Sequence, residues 1–167
     1  MLKPSEVKET AKKLESQNIR FRRFLKNHAD SDQLDAQFLE LHMELFSVHD
    51  CSRCRNCCKV YDASLEGNEI KRIAEFLGQD ESELIREYLI QTDEGRKIKG
   101  RPCCFLQADG QCRIQECRPS SCRDFPFTDK PERLFSLLSV LESAEVCPVV
   151  FEILERLKEV YGFRNNI

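Results

Sequence analysis

Four cysteines occupy one eight-residue stretch of the chain. The stretch reads Cys51-Ser-Arg-Cys54-Arg-Asn-Cys57-Cys58. A thiol costs little to bury, but four thiolates this close together repel one another unless a cation neutralises their charge. Zinc sites and iron-sulfur clusters both use Cys-x-x-Cys spacing for this purpose. The spacing therefore favours a metal site over free or redox-active thiols.

A second group of cysteines follows farther along the chain, which contains ten cysteines in all. Its members are Cys103, Cys104, Cys112, Cys117 and Cys122, with Cys147 later and directly before a proline. Adjacent cysteines do not comfortably form a disulfide with each other, because neighbouring Cα atoms lie about 3.80 Å apart and an unstrained disulfide spans ~4.4 to 6.8 Å. The sequence therefore predicts that both groups supply metal ligands.

The sequence lacks the pattern of a membrane span or a secretion signal. The longest uncharged apolar stretch runs only from Leu134 to Leu141, and Met1 to Lys13 has no apolar signal-peptide core. We therefore expect a cytoplasmic protein that does not enter a membrane. Because the cytoplasm keeps thiols reduced, this location also favours metal ligation over disulfides.

The composition is that of a globular protein without a strong charge bias. Of the 167 residues, 41% are hydrophobic and 33% are charged, and the formal net charge is -3. These values exclude a disordered or collagen-like chain. Net acidity without a basic block argues against nucleic acid as the main partner. The sequence also lacks a Ser-His-Asp set, a phosphate-binding glycine loop and a paired-carboxylate motif.

Helical periodicity precedes the first cysteine motif. Mostly apolar residues recur every three or four positions in a stripe from Val7 to His28 that also includes Asn18, and the same spacing repeats from Leu34 to Val48. This pattern predicts an antiparallel helical hairpin as the first domain, residues 1–49, with its second arm running directly into the CxxCxxCC segment. The hairpin offers a surface for a protein partner, and a dimerising coiled coil is the alternative.

The remaining residues, 50–167, are predicted to form a cysteine-cluster metal-binding domain with C-terminal helices. Two short helices are expected between residues 68 and 89, followed by a charged loop over 92–100. An Asp-Gly turn predicts a small β-hairpin over 105–114. Prolines prevent a continuous helix from 115 to 129, so this stretch is expected to depend on metal for its order. The fold class is therefore mainly α with one short β-hairpin.

With these motifs in this order, the sequence resembles the YkgJ-like cysteine-cluster family, which is defined by a CxxCxxCC motif and regarded as a zinc- or iron-chelating domain. The resemblance covers about Asp50 to Val150. Besides the CxxCxxCC motif, it rests on Cys104-Phe-Leu, on Gly110-x-Cys112-x-Ile and on Arg118-Pro-x-x-Cys-Arg-x-Phe-Pro-Phe. Several spaced motifs in the right order are far more specific than a single Cys-x-x-Cys.

The resemblance implies metal ligands at eight positions: Cys51, Cys54, Cys57, Cys58, Cys104, Cys112, Cys122 and Cys147. Cys103 and Cys117 depart from the family pattern, and we expect both to be spare thiols. Strand alternation points Cys103 and Cys104 to opposite faces of the predicted hairpin, so only one of them faces the metal, and we expect Cys104.

Three further features lie near these cysteines. His49 is either a ligand or, as a lone histidine at a helix end, a capping or surface group. Arg118 and Arg123 either offset the negative charge of the thiolates or are surface charges. The Phe-Pro-Phe segment that begins at Phe125 is expected to shelter the site from solvent with its two aromatic rings.

Eight thiolates exceed the needs of one four-coordinate metal. They fit two tetrahedral sites, a binuclear site with shared sulfurs, or one cluster with spare ligands. Short knuckle spacing favours zinc, whereas three closely spaced cysteines and a remote cysteine-proline pair resemble the ligands of bacterial ferredoxins and favour iron, including an iron-sulfur cluster. The choice between zinc and iron stays open, with iron slightly favoured.

Three classes of function fit this site. The first is an accessory metal-binding protein that stores, delivers or senses metal or acts as a redox centre. The second is a component of an iron-sulfur-dependent protein-modifying enzyme, since related cysteine-cluster domains occur in proteins that resemble flagellin lysine methylases. The third is a zinc-stabilised protein-interaction module that works through the helical hairpin.

Overall fold

The computed structural model describes residues 1–163 and is mainly helical, which confirms the predicted fold class. In chain order the helices are α1 (Pro4–Lys13), α2 (Glu15–His28), α3 (Ser31–Val48), α4 (Cys51–Cys54), α5 (Asn56–Val60), α6 (Gly67–Leu77), α7 (Glu81–Tyr88), α8 (Ser120–Arg123), α9 (Leu137–Ala144) and α10 (Pro148–Val160). The strands are β1 (Ser64–Leu65), β2 (Leu89–Thr92) and β3 (Gly95–Ile98). Each helix of residues 1–163 is too short or too polar to cross a membrane.

The chain divides into two compact units. Residues 1–50 and 126–163 form the first, here called the helical unit. Residues 51–125 form the second, here called the cysteine unit. The sequence predicts the C-terminal helices in the cysteine-cluster domain, whereas the contacts of the chain group them with the N-terminal helices.

The helical unit is organised around α10, which packs against α1, α3 and α9. The first arm of the predicted hairpin consists of two helices, α1 and α2, which meet at Leu14. α3 begins after Asp30, whose side chain accepts a hydrogen bond of 2.9 Å from the backbone N–H of Gln33 and caps the helix. The apolar stripes that predicted these helices are buried, as shown by Val7, Phe21 and Phe38.

The cysteine unit contains a small antiparallel sheet in the order β1-β3-β2. β2 and β3 form a hairpin with Leu89 opposite Ile98 and Thr92 opposite Gly95. The prediction of a loop over residues 92–100 was therefore wrong. The central strand exposes charged side chains and buries only Ile98, so its sequence lacks the alternation of apolar residues that marks a half-buried strand.

The β-hairpin predicted over residues 105–114 is reduced to one isolated bridge between Leu106 and Cys112. A turn closes it, with Gly110 at φ 82° and the Gln111 N–H bonded to the Asp109 carboxylate at 2.9 Å. Cys103, which precedes the bridge, belongs to a turn rather than a strand. Strand alternation therefore does not point Cys103 and Cys104 to opposite faces.

The core of the cysteine unit lies between α6, α7, the sheet and the chain around Phe105. Its apolar members include Ile70, Ile73 and Leu84, which face inward from the two helices. Gly78 ends α6 in the left-handed conformation that its position predicted, with φ 68°. This core supports the surrounding cysteine-bearing turns.

Candidate metal centre

A cavity of about 50 Å³ lies within the cysteine unit, and thiols from three separate segments line it. The lining cysteines are Cys57, Cys58, Cys103, Cys112 and Cys122. Apolar and aromatic groups supply most of the remaining wall, together with Arg118. The structure therefore brings members of both cysteine groups to one place.

The CxxCxxCC segment forms two short helices with a sharp change of direction between them. Arg55 adopts a left-handed conformation, with φ 49°, and separates α4 from α5. Cys57 and Cys58 lie on α5, and the carbonyl oxygen of Cys58 accepts a hydrogen bond of 2.9 Å from the backbone N–H of Cys103. This contact joins the first cysteine group to the second without any side-chain ligation.

Backbone and hydroxyl contacts hold the other two cavity cysteines. Cys112 is fixed by the bridge to Leu106. Cys122 lies on the single turn of α8, where the preceding Ser121 donates a hydrogen bond of 2.6 Å from its hydroxyl to the carbonyl oxygen of Ser64 in β1. These segments are therefore tied to the sheet and its neighbouring turns.

The adjacent residues Cys103 and Cys104 have different surroundings. Cys103 is half-buried and lines the cavity. Cys104 is exposed and does not line it, and its Sγ lies 3.9 Å from the carbonyl oxygen of Tyr88. The structure thus places Cys103 at the cavity, where the family resemblance had led us to expect Cys104.

Electrostatics distinguish the cavity thiols from one another. A hydrogen bond from Cys57, with help from Arg55 and Arg118, lowers the pKa of Cys58 to about 6. A hydrogen bond from Cys104 lowers the pKa of Cys103 to about 7.

The other two cavity thiols are shifted in the opposite direction. Burial raises the pKa of Cys122 to about 12, and burial also raises the pKa of Cys112. Repulsion from the thiolates of Cys58 and Cys103 adds to both shifts. A bound cation would neutralise this repulsion and favour the thiolate form at every position.

The donor set fits a thiophilic metal, but the sulfur atoms do not yet meet at one point. In residues 1–163, no three cysteine, histidine or carboxylate side chains converge closely enough to hold a metal ion in this conformation. Zinc-sulfur bonds are only about 2.3 Å long. A metal ion with bonds of this length therefore needs the lining thiols closer together than they lie in this structure.

The cysteines outside the cavity lining, and His49, occupy several different environments. Cys51 and Cys54 lie on α4, outside the cavity lining. Cys147 is buried in the helical unit, immediately before Pro148 at the start of α10. Cys117 is buried in the apolar core of the cysteine unit. His49 ends α3, where burial lowers its pKa.

Aromatic rings form part of the cavity wall, and one of them was missed by sequence reasoning. Tyr61 and Phe125 both line the cavity, with their ring centroids 4.6 Å apart. Phe125 was expected there as the start of the Phe-Pro-Phe segment. Tyr61 follows Cys57 by four residues, so the i, i+4 spacing on one helical turn was the signal that could have identified it.

Comparison with protein families agrees with this geometry. A family model named CxxCxxCC, with the description "Putative zinc- or iron-chelating domain", matches residues 50–148, more than half of the chain. No curated protein and no solved structure shows significant similarity to the chain. The match includes every cysteine that lines the cavity. The chain therefore belongs to the CxxCxxCC family.

Proposed function

We propose that this protein binds zinc or iron through cysteine thiolates at the cavity of the cysteine unit and serves as an accessory metal-binding protein. The observation that carries this proposal is the set of five thiols, from three separated segments, around one small cavity. Tetrahedral thiolate sites need four such ligands. The cavity thus offers enough donors for one complete site.

The proposed ligands of this site come from Cys57, Cys58, Cys112 and Cys122, with Cys103 as the fifth candidate. Four of these belong to the eight positions implied by the family resemblance. Cys51, Cys54 and Cys147 remain candidate ligands outside this set, whereas the exposed Cys104 does not line the cavity and is not among the proposed ligands. Because Cys51, Cys54 and Cys147 lie outside the cavity lining, we expect each of them to contribute less to the metal affinity than the lining cysteines do.

The identity of the metal determines which role the site serves. Zinc would hold the cysteine segments together and polarise its ligands without redox chemistry, whereas iron or an iron-sulfur cluster would add an electron-transfer function. Storage, delivery or sensing of the metal fits either ion. The apolar wall around Tyr61 and Phe125 would limit solvent access in each case.

A cytoplasmic location is part of the proposal. All ten cysteines lie in residues 1–163 and carry thiols rather than disulfides. Thiols in such number persist in a reducing compartment. Oxidation of the cavity cysteines would remove the donors on which the metal site depends.

The test is anaerobic purification followed by elemental analysis and visible spectroscopy of the full chain. We expect close to stoichiometric zinc or iron, with visible absorbance and a reversible redox couple if an iron-sulfur cluster is present. Cys112→Ser and Cys122→Ser should lose metal, whereas the exposed Cys104→Ser should serve as a matched control that keeps it. A folded wild-type protein that neither contains nor binds either metal would overturn the proposal.

A protein-interaction role of the N-terminal helices is a second proposal. It is supported by two neighbouring apolar side chains on one face of α3 that are exposed, Leu39 at 46% and Met43 at 65%. Exposed apolar groups that lie next to one another are typical of contact surfaces. Replacing both by glutamate should abolish association measured by light scattering without changing metal content. A wild-type chain that stays monomeric and binds no partner would contradict this role.

A further inference from the structure

Glu69 is a buried carboxylate that no expected ligand set includes. Its side chain belongs to a residue only 7% exposed, at the third position of α6. One carboxylate oxygen accepts a hydrogen bond of 2.9 Å from the backbone N–H of Glu66, which closes the capping box of α6. Carboxylates are rarely buried without such partners.

The second carboxylate oxygen of Glu69 has a different partner. It accepts a hydrogen bond of 2.7 Å from the backbone N–H of Ser120, the first residue of α8. One carboxylate therefore caps the N-termini of two helices that are far apart in sequence. Both N-termini favour negative charge, because their unpaired N–H groups carry partial positive charge.

α8 has only four residues, and it carries Cys122. A single helical turn has no stability of its own in water, so its position depends on external contacts. Besides Glu69, α6 contributes Arg72, whose guanidinium donates a hydrogen bond of 3.1 Å to the carbonyl oxygen of Arg118. α6 thus contacts both the first residue of α8 and the chain directly before it.

We propose that Glu69 is a positioning residue for Cys122, holding α8 so that the Cys122 thiol faces the metal cavity before metal arrives. The expected effect on metal binding rests on the proposed function. The contact between Glu69 and Ser120 itself does not involve metal. The carboxylate acts through the Ser120 N–H and does not ligate the ion. Its loss should weaken metal binding by releasing one ligand segment.

Glu69→Gln separates the two roles of this side chain. Glutamine keeps a single acceptor oxygen, and because glutamine also serves in capping boxes, we expect that oxygen to accept from the backbone N–H of Glu66. Its amide nitrogen replaces the other oxygen and cannot accept from Ser120. Glu75→Gln is the matched control, because Glu75 lies on the same helix and is exposed.

Ser120→Pro removes the contact from the other side, since it deletes both the backbone N–H and the hydroxyl through which Ser120 bonds to Glu69. Proline is favoured at the first helical position, and the preceding Pro119 already has an extended conformation, with ψ 156°. This variant leaves α6 unchanged. It therefore keeps the inference testable if Glu69→Gln fails to fold.

The first experiment is a competitive cobalt(II) titration of the full chain. It measures the cobalt affinity and the thiolate-to-cobalt absorbance. We expect either variant to weaken affinity by about tenfold or more, which corresponds to ~1.4 kcal/mol, and to lower the absorbance per bound ion. The double variant should be no worse than the stronger single variant. The inference would be overturned if Glu69→Gln bound cobalt with the affinity and absorbance of the wild type. If Glu69→Gln does not fold, the same result in Ser120→Pro would overturn it.

The second experiment measures alkylation of Cys122 in the metal-free protein by mass spectrometry. We expect Cys122 to react faster in Glu69→Gln than in wild type and Glu75→Gln, at equal thermal stability of the remaining fold. An unchanged rate would overturn the positioning role. If wild type binds no cobalt while the alkylation rates differ as expected, the proposed function fails and the positioning of Cys122 stands.

Discussion

The backbone N–H of Cys103 donates a hydrogen bond of 2.9 Å to the carbonyl oxygen of Cys58. This contact fixes the turn of the second cysteine group against α5. Because the turn is held by its backbone, the direction of each neighbouring side chain is set as well. Cys103 lines the cavity, and Cys104 lies outside the lining with its sulfur near Tyr88.

The first prediction compares these two neighbours. Cys103→Ser should reduce metal affinity at least about tenfold, because it removes a thiol from the cavity, whereas Cys104→Ser should bind metal as wild type does. Competitive chelator titration with elemental analysis measures both. Retained affinity in Cys103→Ser together with metal loss in Cys104→Ser would restore the assignment implied by the family resemblance.

Local sequence patterns anticipated much of the fold, because helix periodicity and capping residues act within a few positions. Gly78 is an example, since it ends α6 as its position predicted. The environments of Cys103 and Cys104 were not predictable in this way. Their directions depend on a turn and on a contact to Cys58, and neither leaves a periodic signal in the sequence.

Local sequence patterns also could not predict which helices pack together when they are far apart in the chain. The packing of α10 against α1 and α3 joins the two ends of the chain, and no short motif encodes it. The β2-β3 hairpin was not predicted, because the two central residues of β3 are both charged and its sequence therefore lacks the apolar alternation of a strand. The dual role of Glu69 also arises only when α6 and α8 meet in space.

The second prediction concerns the aromatic wall of the cavity. Phe125→Ala should leave the number of bound metal ions unchanged but speed metal release to a chelator several-fold, because it removes the ring that packs on Tyr61. Stopped-flow chelator competition measures the rate. Phe76→Ala, which truncates a half-exposed ring on α6, is the control and should have no effect. An unchanged release rate in Phe125→Ala would contradict a sheltering role.

The third prediction follows from the pKa of Cys58, which the hydrogen bond from Cys57 and the nearby arginines lower from 9.0 to about 6. In the metal-free protein, alkylation of Cys58 should therefore rise with pH and reach half its maximum near pH 6, since only the thiolate reacts. Cys122, with its pKa raised by burial, should stay unreactive in this range.

Mass spectrometry after pH-resolved iodoacetamide pulses measures this difference between the two thiols. Cys57→Ala removes the hydrogen bond to Cys58 and should move the midpoint upward, toward the ordinary thiol value. A wild-type midpoint near 9 would show that Cys58 is not activated.

The fourth prediction concerns acid stability. Burial tends to raise the pKa of Glu69, but backbone hydrogen bonds from Glu66 and Ser120 outweigh it and lower the pKa below 4.5. The unfolded chain therefore takes up this proton first as the pH falls. The stabilisation is complete above about pH 4.5 and is lost as the pH falls through the lowered value.

Urea unfolding between pH 7 and pH 3 tests the contribution of Glu69. The wild type should lose more stability over this range than Glu69→Gln, by roughly 1 kcal/mol. Equal pH dependence in the two proteins would show that the Glu69 carboxylate does not contribute.

The fifth prediction separates two kinds of cysteine segment by hydrogen exchange. α4 and α5 contain no fully buried residue, whereas α8 buries Ser121, so residues 51–60 are more open to solvent before metal binds. α8 is already anchored through Glu69 and through the Ser121 hydroxyl. Metal at about one hundred times its dissociation constant should slow exchange in residues 51–60 by up to ~100-fold, because these amides open only when metal leaves.

The amides of α8 should change much less, since protein contacts protect them in both states. This expectation replaces the sequence-based one, in which the whole stretch from residue 115 to residue 129 depends on metal for its order. Exchange of verified metal-free and metal-loaded protein, followed by mass spectrometry, measures both segments. Equal slowing in α8 and in residues 51–60 would contradict a pre-formed Cys122 segment and would favour order imposed by the metal alone.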